Sequence, residues 1–509
     1  MDNSRIRKSA RNMTSGIAYR ILTVFTAFLV RTVFIRCLGN DYLGVNGLYG
    51  SILSMLSLAE LGFGTAMVYS MYKPLADKDY PKLTQLMKLY RDVYRIIGAV
   101  VLILGLLLIP FLDILIKNKP NVQGLTFYYC LFLFDSVLSY WFFAYRSAIL
   151  QADQRGSVIS NYSSIFNLIK SCLQIVVLLL FHNYTIYLLS QMFCTITQNI
   201  FIARRASKDY PIFKDTGDDQ LPIEEKSKIF SDVKALMLQK VSFKVLNTSD
   251  SLIISAFVGV NMVGLLSNYL LIEEAIKAFL SQVLTSITAS MGNYFAKEKR
   301  EDSYRLFCRL DFMNFWLYTF SSIALVSLLS PFVNLWLGES YLLEEIAVVA
   351  LVLRFYVEGY MNMMSAFRTT LGLFTQGKYI PLAVAAINIV LSIGLSYPIG
   401  IAGVLIATPL SRLLIHAWYT PYIIHRDAFH KSVKPFYCIW LTRLVIFVVI
   451  LAITLVIRMV IINSVPGLGG FIIMVLLTAF IPNSILYAIY RKSDEFRYFK
   501  RMAKSIVRK

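Results

Sequence analysis

Long apolar runs recur through the chain and constrain its fold more than any other feature. Runs of about 18 to 25 mostly apolar residues follow one another from Ile17 to Tyr490, and each is long enough to cross a bilayer as a helix. Only 16 % of the 509 residues are charged, whereas 57 % are hydrophobic. This composition excludes soluble enzymes, disordered chains and disulfide scaffolds, and it predicts an all-α integral membrane protein.

The apolar residues suffice for about fourteen transmembrane helices, since each crossing takes ~20 of them. The predicted spans are 16–37, 46–72, 94–116, 124–147, 157–181, 184–203, 235–258, 264–290, 311–333, 343–367, 379–398, 401–424, 436–458 and 467–490. The first span continues well past the apolar core of a signal peptide, so we expect it to be retained.

Lys and Arg are distributed unequally between the two sides of the predicted membrane. The side that holds both termini carries 37 of them, and the opposite loops carry three: Lys117, Lys119 and Arg458. The positive-inside rule therefore places both termini in the cytoplasm. Because this asymmetry accounts for most of the net charge of +20, we expect no nucleic-acid partner.

The largest loop, 203–234, contains KDTGDDQLPIEEKSK and is too polar for a bilayer, so we interpret it as a linker between two lobes. Two glycines and a tyrosine recur 220 residues later: Gly39, Gly44 and Tyr49 match Gly259, Gly264 and Tyr269. Half-chain repeats are common in transporters. The predicted organisation is an N-terminal six-helix lobe (1–203), a cytoplasmic linker (204–234), a C-terminal six-helix lobe (235–424), two further helices (436–490) and a basic cytoplasmic tail (491–509).

Motifs of catalysis and metal binding are missing from the sequence. The segment 372–379, GLFTQGKY, comes within one residue of a phosphate-binding loop but ends in Tyr379 where Ser or Thr should bind magnesium. The six cysteines and four histidines lack the spacing of metal ligands. We therefore expect a protein that is not an enzyme, with no catalytic residue, no metal site and no cofactor.

Charged residues within the predicted spans should face protein or water, because even a lenient insertion scale gives a cost of ~3 kcal/mol for a central charge. Three pairs are predicted to be structural, two at a spacing of four on one helix and one on consecutive helices: Glu273–Lys277, Arg354–Glu358 and Asp135–Lys170. Arg443, near a span end, is expected to snorkel to the interface.

Basic stripes run along the first and seventh spans. Arg20 and Arg31 are eleven residues apart, so they lie only about 20° out of phase on one helix face. Lys240 and Lys244, with Asn247, form a similar stripe at the start of the second lobe. Snorkelling to the cytoplasmic edge is the alternative for Arg20 and Lys240.

Several segments with glycine or asparagine resemble those of polysaccharide flippases. They are 38–44 (LGNDYLG), 58–64 (LAELGFG), 372–381 (GLFTQGKYIP), Asn388 and 400–408 (GIAGVLIAT). Together they resemble the Wzx-type lipid-linked oligosaccharide flippases of the multidrug/oligosaccharidyl-lipid/polysaccharide (MOP) exporter superfamily, from Ala10 to about His425. This resemblance implies two pseudo-symmetric six-helix lobes in a V around a central cavity, plus two C-terminal helices, and transport by alternating access.

The resemblance also implies a substrate, an undecaprenyl-diphosphate-linked oligosaccharide that moves from the inner to the outer leaflet of the bacterial plasma membrane. Related peptidoglycan-precursor flippases bind the diphosphate through basic residues of helices 1 and 7, a role that falls here on Arg20, Arg31, Lys240 and Lys244. Candidate contacts to sugar hydroxyls are Asn247, Gln174, Asn268 and Tyr269. The implied partners are this glycan, membrane lipids and, as candidates, a glycan polymerase and glycosyltransferases.

Two other functions stay open. A cation-coupled multidrug exporter of the same fold would need a carboxylate in the cavity, for which Asp135, Asp250 and Glu60 are candidates. A non-transporting membrane scaffold would be favoured if every intramembrane charge were paired.

Overall fold

A computed structural model gives the structure of the chain. It describes residues 3–60, 62–210, 221–297, 300–373, 376–377, 379–465 and 467–507. Side chains are described for these residues except 3–20, 59, 232, 235–236, 238–239, 243, 247, 283, 285–297, 462–463 and 502–507. Within the described ranges all regular structure is helical, as predicted, and no strand occurs.

The chain divides into two compact units, residues 1–264 and 265–509. The first nine helices are α1 (Asn3–Leu56), α2 (Phe63–Ala76), α3 (Tyr80–Leu108), α4 (Leu112–Leu115), α5 (Leu125–Trp141), α6 (Ser147–Ala152), α7 (Gly156–Phe181), α8 (Tyr184–Asp209) and α9 (Ile223–Ile253). The others are α10 (Val260–Lys297), α11 (Arg300–Leu337), α12 (Glu345–Thr370), α13 (Ile380–Leu414), α14 (His416–Ile423), α15 (Lys434–Ser464), α16 (Leu468–Tyr490) and α17 (Asp494–Val507). Helix α9, which carries the seventh predicted span, packs within the first unit against α1 and α2.

The fourteen predicted spans fall mainly on helices. By length and composition, ten helical segments of the described residues can cross a membrane, or eleven if the bent pair Leu125–Trp141 and Ala144–Ala152 forms one span. This number is lower than fourteen partly because two helical segments each contain more than one predicted span. Ile380–Phe429 contains the eleventh and twelfth spans, and Ile21–Leu56 contains most of the first span and part of the second. The chain is a multi-pass membrane protein.

Glycines with positive φ separate predicted spans that lie on one continuous helical segment. Gly39 (φ 84°) interrupts α1 between the first and second spans. Gly400 (φ 55°) interrupts α13 between the eleventh and twelfth. A residue with a Cβ atom is strained at these backbone angles, so glycine allows the chain to bend there.

Two pairs of helix starts show the same 220-residue offset as the repeated glycines and tyrosine. Helix α3 begins at Tyr80 and α11 at Arg300, which is 220 residues later. Helix α5 begins at Leu125 and α12 at Glu345, again 220 residues later. Equal offsets at two independent helix starts indicate a duplicated scaffold.

The repeated tyrosines occupy equivalent places. Tyr49 and Tyr269 are both fully buried. The Tyr49 hydroxyl donates to the carbonyl of Leu125 at 3.0 Å, and the Tyr269 hydroxyl accepts from the backbone N–H of Leu343 at 3.0 Å. Each tyrosine therefore ties its helix to the start of the corresponding later helix, α5 or α12.

The repeated glycine segments contact each other within the first unit. The Asn40 side chain donates to the carbonyl of Asn261 at 3.0 Å. A Cβ atom on Gly264 would lie 2.6 Å from the Asn40 side-chain oxygen and 3.0 Å from the backbone nitrogen of Gly44. Gly264 is therefore required for the close approach of the two backbones.

Two arginines of α15 form ion pairs that the sequence did not predict. Arg443 is buried and lies 2.5 Å from Asp311 of α11, so the expectation that it snorkels to the interface is wrong. Arg458 was assigned to an outer loop, but α15 continues to Ser464 and Arg458 pairs with both carboxylate oxygens of Glu345. Both arginines link α15 to other helices of the second unit.

Candidate functional site

The first unit contains a cavity of about 750 Å³. Residues from α2, α3, α5, α6, α8 and α9, together with the 3₁₀ turn Ser57–Glu60, form its wall. Its described residues include five tyrosines, two lysines and one carboxylate: Tyr69, Tyr72, Tyr90, Tyr94, Tyr140, Lys240, Lys244 and Glu60. Hydroxyl and amide side chains, such as those of Thr65, Thr195 and Asn199, also line the cavity.

Both lysines come from α9, where a spacing of four residues places them on one face. The Lys240 ammonium donates to the Thr65 hydroxyl of α2 at 2.6 Å. Lys244 lies one turn further along and also lines the cavity. Among the described residues, the wall therefore presents two positive charges against the single carboxylate of Glu60.

A hydrogen-bonded group of tyrosines surrounds Glu60. The Tyr94 hydroxyl donates to the Glu60 carboxylate, and the Tyr90 hydroxyl donates to that of Tyr94 at 3.1 Å. Tyr140, from α5, also hydrogen-bonds to Glu60. The three tyrosines are buried, and their hydrogen bonds hold the carboxylate in place.

Two further tyrosines are open to the outside. Tyr69 and Tyr72 lie three residues apart on α2, with 70 % and 46 % of their surface exposed. Their ring centroids are 6.0 Å apart. Aromatic rings with a polar end suit ligands that have both apolar faces and hydroxyl groups.

The predicted basic residues do not all come together. Arg31 lies on α1, where it interacts electrostatically with Tyr187 of α8, and Tyr187 also hydrogen-bonds to Gln174 of α7. Among the described residues, the cavity wall includes both lysines of α9 but neither Arg31 nor Gln174. The side chains of Arg20 and Asn247 lie outside the described residues.

The three candidate coupling carboxylates are separated. Glu60 lines the cavity. Asp135 accepts a hydrogen bond of 3.0 Å from Gln191 and interacts electrostatically with Lys170, its predicted neighbour. Asp250 is buried in α9, close to the π-helical turn Ile254–Val258.

The second unit contains the remaining predicted site residues and a buried ion network. Asn268 and Tyr269 are fully buried in α10. The predicted pair of Glu273 and Lys277 is confirmed, with a separation of 2.8 Å. Arg354, which the sequence paired with Glu358 on its own helix, lies 2.9 Å from Glu273 on α10.

The cavity tyrosines were missed by sequence reasoning. Tyr90 and Tyr94 are four residues apart, and Tyr69 and Tyr72 three apart, so each pair shares a helix face. That spacing was a visible signal, but with 31 tyrosines in the chain it did not distinguish these from tyrosines that pack between helices.

Solved structures with a similar fold are membrane transporters and a flippase. An inward-facing MATE multidrug transporter of the MOP superfamily matches with a TM-score of 0.60 and 14 % identity over 80 % of this chain and 97 % of its own. The inward closed form of the lipid II flippase MurJ matches with a TM-score of 0.60 and 16 % identity over 92 % and 99 %. The MATE transporter VcmN of Vibrio cholerae gives 0.54 and 14 % over 84 % and 99 %.

These identities establish the fold alone. No curated protein sequence matches the chain. The profile of a family described as "Polysaccharide biosynthesis protein" matches residues 9–291, which is more than half of the 509 residues. The chain therefore belongs to the polysaccharide biosynthesis protein family.

Proposed function

We propose that the protein is a flippase that moves a polyprenyl-diphosphate-linked oligosaccharide from the cytoplasmic to the outer leaflet of a bacterial plasma membrane. The observation that carries this proposal is the cavity of the first unit, which combines two lysines with five tyrosines. Family membership connects the chain to polysaccharide biosynthesis. The structural neighbour MurJ is a lipid II flippase, and lipid-linked substrates of that kind fit the same fold.

The chemistry of the cavity suits the two parts of such a substrate. A diphosphate cannot enter hydrocarbon unassisted, because desolvating its charges costs many kcal/mol. The ammonium groups of Lys240 and Lys244 can replace its hydration with charge-assisted hydrogen bonds. Exposed rings such as Tyr69 offer the apolar faces and hydroxyls against which sugars pack.

The proposal also covers the membrane topology of the chain and its transport cycle. Both termini and the linker 204–234 lie in the cytoplasm, because the basic residues are concentrated on that side. Transport follows alternating access between the two leaflets. A glycan polymerase and glycosyltransferases are the proposed partners.

Export of surface glycan from cells tests the role of the cavity lysines. We expect Lys240→Gln/Lys244→Gln to lose export while the protein still accumulates in the membrane. Removing one charge-assisted hydrogen bond costs about 1.5 to 3 kcal/mol, which corresponds to roughly ten- to 150-fold in binding for each lysine. The matched control is Lys208→Gln, which removes an exposed lysine of the same unit. Normal export by the double variant would refute the proposal.

Arg31 is tested separately because it lies outside the cavity wall. If the α1 stripe contributes to diphosphate binding, Arg31→Gln lowers export and Arg31→Lys lowers it less, since lysine keeps the charge but loses the bidentate geometry. Unchanged export by Arg31→Gln would restrict the binding role to α9.

The cation-coupled exporter remains the second candidate because Glu60 lines the cavity. Glu60→Gln preserves the shape of the side chain and removes its charge. A flippase that binds through lysines keeps glycan export in this variant. If the protein is instead a cation-coupled exporter, Glu60→Gln abolishes drug resistance and leaves surface glycan unaffected.

A further inference from the structure

We infer that the C-terminal helix α17 binds the headgroups of anionic phospholipids at the membrane surface. The binding face consists of Arg497, Lys500 and Arg501. It belongs to the second unit and is separate from the cavity of the first, so the inference does not depend on what the protein transports.

Helix α17 is held beside two helices that can cross a membrane. It begins at Asp494, four residues after α16 ends at Tyr490. The Phe496 ring stacks on the indole of Trp316 in α11, with ring centroids 5.6 Å apart. The same ring meets Tyr487 of α16 edge to face at 5.5 Å. The start of α17 is therefore packed against both α11 and α16.

These contacts place the start of α17 at the edge of the bilayer. Trp316 lies five residues inside the ninth predicted span, and Tyr487 lies three residues inside the fourteenth. At ~1.5 Å per residue, both positions are within about 8 Å of a span end. The headgroup region is roughly 5 to 8 Å thick on each side of the hydrocarbon. Phe496 therefore brings the first turns of α17 to the level of the headgroups.

The cations of α17 lie together on one face of the helix. Arg497, Lys500 and Arg501 follow one another at spacings of three and four residues, so they are neighbours on the helix surface. All three side chains are exposed. Phe496 and Phe499 are only partly exposed and lie on another face. The helix thus has an aromatic side and a basic side.

The two acidic residues of α17 do not neutralise the basic face. Glu495 interacts electrostatically with Cys308 and Asp311 of α11, so its charge is directed toward the protein. Asp494 lies 3.9 Å from Arg497, but their side chains are 92 % and 60 % exposed. An exposed pair of this kind is weak and is screened by salt. The face therefore remains positive toward its surroundings.

Anionic lipid is the occupant that this position and charge favour. The positive-inside rule accounts for basic residues after the last span, but it does not require them to share a helix face. A helix with an apolar side and a basic side, held in the interface, is attracted to anionic headgroups. Each Lys or Arg near such a surface favours binding about five-fold.

Hydrogen–deuterium exchange of the α17 backbone amides in the full-length protein tests this inference. The protein is compared in nanodiscs of phosphatidylcholine and in nanodiscs that contain phosphatidylglycerol. We expect phosphatidylglycerol to slow exchange in α17, and 1 M salt to remove the difference because it shortens the screening length to about 3 Å. Lys500→Gln/Arg501→Gln should lower the ratio of protection factors between the two lipids by about 25-fold, five-fold for each cation.

The matched control is Arg300→Gln/Arg305→Gln. It also removes two exposed cations of the second unit, from the part of α11 that precedes the ninth predicted span. We expect this control to keep the wild-type ratio. An equal reduction in both double variants would overturn the inference, as would exchange in the wild-type protein that does not differ between the two lipids.

Two further measurements separate lipid binding from other roles of the same residues. Lys500→Arg/Arg501→Lys keeps both charges and should behave as the wild type, whereas loss of the lipid effect in this variant would indicate a structural role and overturn the inference. Protection of α17 by added polyglutamate but not by phosphatidylglycerol would indicate an acidic protein partner and would also overturn it. Nanodiscs expose both leaflets and contain no glycan, so neither the membrane orientation nor the proposed export affects the result.

Discussion

Replacement of Glu273 by glutamine is the sharpest test of the ion network. Glu273 is 0 % exposed and compensates Lys277 at 2.8 Å and Arg354 at 2.9 Å. Glutamine has nearly the same shape but no charge, so both cations lose a buried counter-charge while the packing is preserved. Breaking a buried pair from one side costs about 3 to 5 kcal/mol.

Thermal unfolding of the purified protein measures this cost. For a unit of this size, 1 kcal/mol corresponds to roughly 2 to 4 °C, so we expect Glu273→Gln to lower the midpoint by at least about 6 °C. The neighbouring Glu274 supplies the control. It also lies near Lys277, at 3.4 Å, but it is 67 % exposed, and an exposed pair contributes about 0 to 1 kcal/mol.

The result that refutes this reasoning is an equal change in the two variants. If Glu273→Gln and Glu274→Gln lowered the midpoint by the same small amount, the buried carboxylate would not be compensating its cations. A second variant guards against an indirect effect. Glu273→Gln/Arg354→Met also removes one of the two cations that Glu273 compensates, so it should recover part of the lost stability.

Three further predictions address packing, topology and the lipid tail. Gly264→Ala should destabilise the protein by about 1 to 3 kcal/mol, because the added methyl group would overlap Asn40. The control Gly50→Ala should be neutral or stabilising, since nothing lies within 4 Å of the added carbon. Thermal unfolding compares the two variants. A cysteine at Asp218 should resist an impermeant reagent added outside intact cells, and its labelling would refute the cytoplasmic linker. Photo-crosslinkers in α15 and α16 should capture the polyprenyl chain, and no crosslink with a trapped substrate would indicate that these helices only stabilise the second unit.

Much of the fold could be predicted because the bilayer imposes a simple physical rule on the sequence. Long apolar runs must form helices, so the predicted spans fall mainly on helices. The sequence alone did not show how spans join, because Gly39 and Gly400 bend the chain without ending the helical segment. It also placed Arg458 in a loop, since a hydropathy pattern cannot reveal the partner Glu345 that stabilises a buried arginine.

The candidate site was only partly predictable for a related reason. Helical spacing shows which residues share a face, and it identified Lys240 and Lys244 correctly as neighbours on α9. It does not show which helix that face contacts. The stripe on α1 and the stripe on α9 looked equivalent in sequence, yet Arg31 interacts with Tyr187 of α8, while Lys240 contacts Thr65 of α2.

The duplicated scaffold explains why the two units differ in chemistry while they keep the same framework. Helix starts at Leu125 and Glu345 keep the 220-residue offset because each is fixed by the backbone of its repeat and by a buried tyrosine. Side chains on the equivalent faces carry no such constraint. The position of Ser57 in the first repeat is Lys277 in the second, where Glu273 and Glu358 each compensate the lysine at 2.8 Å. For the proposed substrate, which has a charged end and a sugar end, this divergence would give the two halves of one scaffold different binding chemistry.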